Sequence, residues 1–266
     1  MKVGYLQFNP EFGEPERNIS KINNLVSDKD FDLLVMPELA NSGYLFTSQD
    51  ELEKYSEAIP DGMFCSALKK ICRANGSFIV AGICEKDGKK FYNSAVLVSP
   101  EGKIITYRKI QLFYEEKLWF EPGNFPLEAH EIFGRFGSVK IGMMVCFDWI
   151  FPEVARTLAL RGAKIICHPA NLVMTYCQDA MVTRALENRV FTITANRIGK
   201  DVKEGKELYF TGMSEICGPK ANIIHKGTSD KEEVVIVEID PSEASDKNIN
   251  PMNNVITDRR DEFYYK

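Results

Sequence analysis

Cys146 is placed to act as a nucleophile. The segment Ser138-Val-Lys-Ile-Gly-Met-Met-Val-Cys146 brings five apolar residues and a glycine up to the thiol. Such a run reads as a buried strand. Pro152 then opens a helix from Glu153 to Arg161, and Gly162 closes it. A thiol between a strand and a helix is rigidly held yet can face a cleft at the sheet edge, where nucleophiles are often presented. The competing reading is a structural cysteine, since free cysteines are commonly buried.

Other segments bring ionisable groups to comparable places. Glu38 follows the strand Phe31-Asp-Leu-Leu-Val-Met36, apolar from Leu33 on, where a carboxylate can serve as a general base or simply sit at a rim. Lys109 lies in Tyr107-Arg-Lys-Ile-Gln-Leu-Phe-Tyr-Glu-Glu-Lys117; an isolated Arg108-Lys109 pair is usually solvated. Glu116 and Glu121 flank Trp119-Phe120, which suggests a pocket wall or a loop pinned to the core. His168 also ends a strand, so a Cys–His hydrolase is one possible assembly.

The elements that must position these groups repeat. In the first half, Lys2–Gln7 and Phe31–Met36 are strands around a helix from about Glu14 to Ser27. In the second, Val139–Val145 and Ala163–His168 are strands around the helix after Pro152. Strand, helix, strand implies right-handed crossovers and parallel neighbours, with strand ends gathered on one edge. Ser77–Cys84 and Tyr92–Val98 read as an antiparallel meander turning at Lys86–Lys90, and Pro100–Gly102 makes a further turn. Asp179–Arg189 reads as a helix, Val190–Ala195 as a strand, and Gly199–Glu207 as an exposed loop. Met213–Cys217 and Glu233–Ile239 are the last strands expected.

Residues 1–266 read as one α/β domain without a linker, the part from 242 to 266 being a polar tail with Phe263, Tyr264 and Tyr265. Such a tail frays or docks on a neighbour. The net charge of −5 argues against nucleic acid as a partner. The N-terminus lacks a signal-like apolar stretch, and no run is long enough to span a bilayer. Seven cysteines without a Cys-x-x-Cys pair favour a reducing, cytoplasmic setting over a disulfide framework. Three histidines without metal-ligand spacing leave zinc unsupported; no cofactor is expected.

Taken together, Glu38, Lys109 and Cys146 are similar in order and context to the catalytic triad of the nitrilase superfamily of carbon–nitrogen hydrolases. The matching stretches are Met36-Pro-Glu-Leu39, Tyr107-Arg-Lys-Ile110 and Val145-Cys-Phe-Asp-Trp-Ile-Phe-Pro-Glu153. Tyr92-Asn-Ser-Ala95, Glu116-Lys-Leu-Trp-Phe-Glu-Pro-Gly123, His168-Pro-Ala-Asn171 and Arg184-Ala-Leu-Glu-Asn-Arg189 extend the resemblance across the chain.

The resemblance implies a four-layer α-β-β-α sandwich. It implies that Glu38 shuttles protons, that Cys146 forms a thioester, and that Lys109 with the Phe147 N–H holds the oxyanion. Glu116, or by a one-residue shift Glu115, would position Lys109 and the substrate. A cation beside Cys146 would lower the thiol pKa. Tyr44, Trp119, Phe147, Trp149, Asn171 and Tyr176 would line a pocket for a small, largely uncharged molecule, and His168 would brace the strand end carrying Asn171. Amides are the expected substrates, with nitriles or N-carbamoyl compounds as alternatives; many dedicated nitrilases carry Trp-Glu where this chain has Phe147-Asp148. A catalytically inactive binding protein of the same fold is the alternative of a different class. The family's pairing of sandwiches implies a homodimer or larger even oligomer.

Overall fold

A computed structural model describes residues 1–264, and its strands follow the apolar runs. The first half contains β1 (Lys2–Gln7), β2 (Leu33–Val35), β3 (Phe78–Asp87), β4 (Lys90–Val98) and β5 (Ile104–Arg108). The second contains β6 (Ala129–Gly134), β7 (Gly137–Met143), β8 (Ile165–Ala170) and β9 (Phe191–Asn196). A hairpin of β10 (Lys200–Lys203) and β11 (Lys206–Tyr209) follows, then β12 (Glu215–Cys217), β13 (Ile223–Lys226) and β14 (Glu233–Glu238). The tail adds the short pair β15 (Asn248–Asn250) and β16 (Asn253–Asn254). The helices are α1 (Pro15–Val26), α2 (Gln49–Tyr55), α3 (Met63–Asn75), α4 (Glu116–Trp119), α5 (Pro152–Leu160) and α6 (Cys177–Asn188).

Two six-stranded sheets result, ordered β14-β1-β2-β3-β4-β5 and β13-β12-β9-β8-β7-β6. The expected parallel pairs form: β1 with β2, and β7 with β8. The meander forms as well, with β3 antiparallel to β4 and β4 to β5.

Alternation along the strands decides which face goes where. Val3, Tyr5, Leu33, Val35, Val80 and Leu97 point to one side of the first sheet, against Ile141, Met143, Ile165 and Ile193 of the second. Leu6, Leu34, Ile79 and Ala81 point to the other side, under Ile22 and Val26 of α1 and Phe64, Leu68 and Cys72 of α3. Side chains of a strand alternate with period two, so both faces of these strands are apolar and both are covered. On the second sheet, Val154 and Leu158 of α5 and Met181 of α6 cover the outer face. Gly142 admits Leu158 there, because a Cβ on it would meet the Leu158 side chain at 3.0 Å. The layers are therefore helix, sheet, sheet, helix.

Gly199–Glu207, read as a loop, is instead largely the β10–β11 hairpin, with Asp201 opposite Leu208. Glu204 and Gly205 both have positive φ, +50° and +78°, the conformation of a tight hairpin turn. Lys200 pairs with Glu207 at 2.9 Å across it, so its polar composition hid a ladder. The tail is also more ordered than its composition suggested. Lys247 Nζ donates to the carbonyls of Asn188 and Arg189 at 3.0 and 2.8 Å. A cation there meets the free carbonyls at the end of α6. Phe263 and Tyr264 are exposed, and Tyr265 lies outside the described residues.

Candidate active site

Glu38 leaves β2 through a tight bend in which Leu39 has φ +47°. The bend lies directly on β3: Gly82 N–H donates to Pro37 O, and Ala40 N–H to Gly82 O, both at 3.0 Å. Only glycine fits, since a Cβ on Gly82 would stand 2.3 Å from Glu38 Cα. The result is a fully buried carboxylate. Its Oε1 accepts from Asn93 Nδ2 and from Lys109 Nζ, each at 2.7 Å. Its Oε2 is buried with no hydrogen-bond partner.

Lys109 follows β5 and is fully buried too. Its backbone is pinned on both sides, N–H to Asn93 O and carbonyl to Gly123 N–H, at 2.8 Å. Its ammonium also donates to Glu116 Oε1 at 2.8 Å. Burial alone would push Lys109 down; the Glu116 and Glu38 charges reverse this and hold it protonated. Glu116, the first residue of α4, also accepts from the Tyr44 hydroxyl at 2.8 Å and from Phe113 N–H at 3.1 Å. Burial raises the Glu116 pKa against the pull of Lys109. Glu115 points outward to Lys206, 2.7 Å away, so of the two glutamates Glu116 meets Lys109.

Cys146 opens a 3-10 turn, Cys146–Ile150, after β7, and its φ is +41°. Asp148 shapes this turn from within, accepting from Val145 N–H at 2.8 Å, Tyr107 OH at 2.7 Å and Gln111 N–H at 3.1 Å. Burial pushes Asp148 up to about 6 despite these donors. The Phe147 N–H falls in the first turn, where a helix leaves its donors unpaired. Sequence reasoning missed Asn93 and Asp148 as site residues. A polar Asn93-Ser94 pair within the otherwise apolar stretch Phe91–Val98 of β4 was the available signal for the first.

Two expectations are corrected. Cys146 is not a low-pKa thiol: burial, then the Glu38 charge, push it up well beyond the usual range, and Lys109 only partly opposes them. His168 does not face the thiol either. Its Nε2 meets the Cys146 carbonyl oxygen at 2.9 Å and its Nδ1 meets Thr194 Oγ1 at 3.1 Å. It therefore braces the backbone of Cys146 rather than the Asn171 strand end. Burial lowers its pKa to about 4, so the ring is neutral at pH 7. No Cys–His pair is formed.

Two cavities share Phe113 and Val173 in their walls. One, about 270 Å³, lies over Cys146 and is walled by Phe147, Trp149, Asn171, Leu172 and Tyr176. The other, about 290 Å³, is walled by Tyr44, Glu116, Trp119 and, from the hairpin, Leu208. The expected pocket residues thus divide between two lobes. Asn171 is partly structural, its Nδ2 donating to the Glu38 carbonyl at 2.9 Å. A larger depression, about 480 Å³ between Pro152, Arg156, Arg259 and Tyr264, holds none of the predicted site residues. No group of three or more His, Cys, Asp or Glu able to hold a metal occurs among the described residues.

This geometry has counterparts in known proteins. The carbon-nitrogen hydrolase family model matches residues 2–247. A nitrilase of Pyrococcus abyssi is 45% identical over 269 residues, spanning 100% of both chains. An (R)-stereoselective amidase of Pseudomonas sp. is 30% identical over 251 residues, 92% of this chain and 88% of the amidase. Among solved structures, an amidase from Nesterenkonia sp. superimposes with a TM-score of 0.79 at 25% identity, covering 98% of this chain and 94% of that one. With these matches along its length, the chain belongs to the carbon–nitrogen hydrolase family of the nitrilase superfamily and is an enzyme of that class.

Proposed function

We propose that the protein hydrolyses small, largely uncharged amides to carboxylic acid and ammonia through a thioester on Cys146. The observation that carries this reading is the unpaired Oε2 of Glu38. A buried carboxylate oxygen without a donor is costly and needs an explanation. Proton acceptance supplies one, because the thiol is held neutral and needs a base. Glu38 takes the thiol proton as Sγ attacks the carbonyl carbon. Lys109 Nζ and the Phe147 N–H hold the oxyanion, each such donor lowering the barrier by about 3 kcal/mol. Glu38 returns the proton to the departing ammonia, and water then cleaves the thioester with Glu38 again as base. Glu116 and Tyr44 fix the Lys109 ammonium in place.

The 45% identity to a nitrilase favours a second reading, nitrile hydrolysis by the same residues. Amides remain preferred because the donors around Lys109 suit a developing oxygen anion. A thioimidate nitrogen would need proton delivery and a further water step. Measuring kcat/KM for a short aliphatic amide and its own nitrile decides between them; a tenfold preference for the nitrile, about 1.4 kcal/mol of barrier, overturns the amide reading.

A cytoplasmic homodimer is the proposed setting. Seven unpaired thiols suit a reducing compartment. The open depression between α5 and the tail, with exposed Phe263 and Tyr264 nearby, suits a two-fold partner.

A further inference from the structure

The thiol and Glu116 open onto different cavities. Cys146 lines the lobe of about 270 Å³, whose walls are chiefly aromatic and aliphatic: Phe147, Trp149, Ile150, Leu172 and Met174. Glu116 and Tyr44 line the lobe of about 290 Å³. Tyr44 OH donates to Glu116 at 2.8 Å, and Lys109 joins Glu116 to Glu38 at 2.8 and 2.7 Å; with Phe113 and Val173 walling both lobes, these contacts put the reacting atoms between them.

The chemistry assigns a role to each lobe. After the C–N bond breaks, the acyl group stays on sulfur, so it occupies the lobe that holds Cys146. The nitrogen leaves on the side of the carboxylates that protonate and hold it, toward Glu38 and Glu116. A primary amide would place only an NH2 there, a group no larger than a water's share of about 30 Å³. The lobe beyond Glu116 has room for many times that. Beside Glu116 and Tyr44 it has apolar walls in Phe113, Trp119, Phe120 and Leu208. Charge appears on the hairpin side, where Lys206 pairs with Glu115.

We propose that the preferred substrate is a secondary amide, with an apolar acyl group over Cys146 and an amine leaving group whose side chain fills the lobe between Tyr44, Trp119 and Leu208. This rests on the amide-hydrolysis reading above and replaces ammonia by a larger amine. The Sγ–C bond forms as the thiol proton passes to Glu38. The C–N bond breaks as Glu38 gives that proton to the amine nitrogen, which leaves as a neutral primary amine. Water then adds to the thioester, its proton passing through Glu38 to the departing sulfur. Amide and water become carboxylic acid and amine, with no other reactant.

The test compares hexanamide with N-propylhexanamide on the purified enzyme, following hexanoate release from both. The N-propyl amide is expected to have the higher kcat/KM, by about tenfold. In Leu208→Trp, which narrows the second lobe, the N-propyl amide should lose at least tenfold more kcat/KM than hexanamide does. If hexanamide is cleaved and the N-propyl amide is cleaved equally or less well, the second lobe is only a passage; the inference falls and the amide reading stands. If neither amide releases hexanoate, the amide reading fails and the inference falls with it.

Discussion

The imidazole Nε2 of His168 lies 2.9 Å from the carbonyl oxygen of Cys146. A histidine thus stands beside Cys146 yet serves its backbone. The fold holds that ring neutral, which links it to stability as a function of pH.

His168 has a folded pKa near 4, below the ordinary value of about 6.5. The unfolded chain therefore binds the proton first. Stability from this site is fully present above about pH 6.5 and is lost as pH falls toward 4, an effect of about 3 kcal/mol for a fully buried group. Urea unfolding at pH 7 and pH 4.5 should show the loss, and His168→Gln should show less of it. His168→Ala should lower stability at pH 7 by about 1–3 kcal/mol, while its folded fraction still turns over substrate. A folded but inactive His168→Ala would contradict this assignment.

Cys146→Ala should abolish turnover, on the order of 10⁴-fold or more, and leave the circular dichroism spectrum unchanged. Because the thiol is pushed up from its ordinary value of 9.0, the wild type should show no more ultraviolet thiolate absorbance than Cys146→Ala below pH 9. Extra absorbance at neutral pH would mean a preformed thiolate and no need for Glu38 as base.

Lys109→Met should remove activity and also destabilise the fold by about 3–5 kcal/mol, because it strands Glu38 and Glu116 without their shared cation. Adding Glu116→Gln should recover part of that stability and none of the activity. Thermal melts and rate assays on the single and double variants check both halves. Recovered activity in the double variant would remove Lys109 from the oxyanion role.

Light scattering at micromolar concentration should give a mass of about twice the 30.2 kDa chain. Tyr264→Asp, placed in the depression against α5, should shift it toward the monomer. A monomeric wild type would leave that depression without its proposed occupant.

Much of this was readable in the chain because burial writes itself as pattern. Leu33–Val35 and Ile165–Cys167 are apolar on both faces, which announces parallel strands under helices. Glu38 and Cys146 stood out because each follows or ends such a run, whereas Lys109, in a mixed polar stretch, was marked only by its resemblance to the family pattern. Other features left weaker traces. β6 exposes half of its residues, buries only Ile132 fully and sits at a sheet edge, so its alternation is faint. α3 carries a short signal, Phe64, Leu68, Ile71 and Cys72 on one face and a left-handed Gly76 cap. The thiol pKa came out with the wrong sign for a physical reason. Proximity of Lys109 could be guessed from the chain, but the depth of burial and the opposing Glu38 charge arise only on folding.

The left-handed backbone of Cys146 limits which chemistry this scaffold can host. At φ +41° an unbranched side chain is tolerated, whereas a second heavy atom on Cβ crowds the backbone. Serine could stand in the turn, but threonine could not without moving it. A secondary alcohol is therefore closed to this position as an attacking group, whatever base stands beside it. The bend after β7 chooses between attacking groups before any substrate arrives.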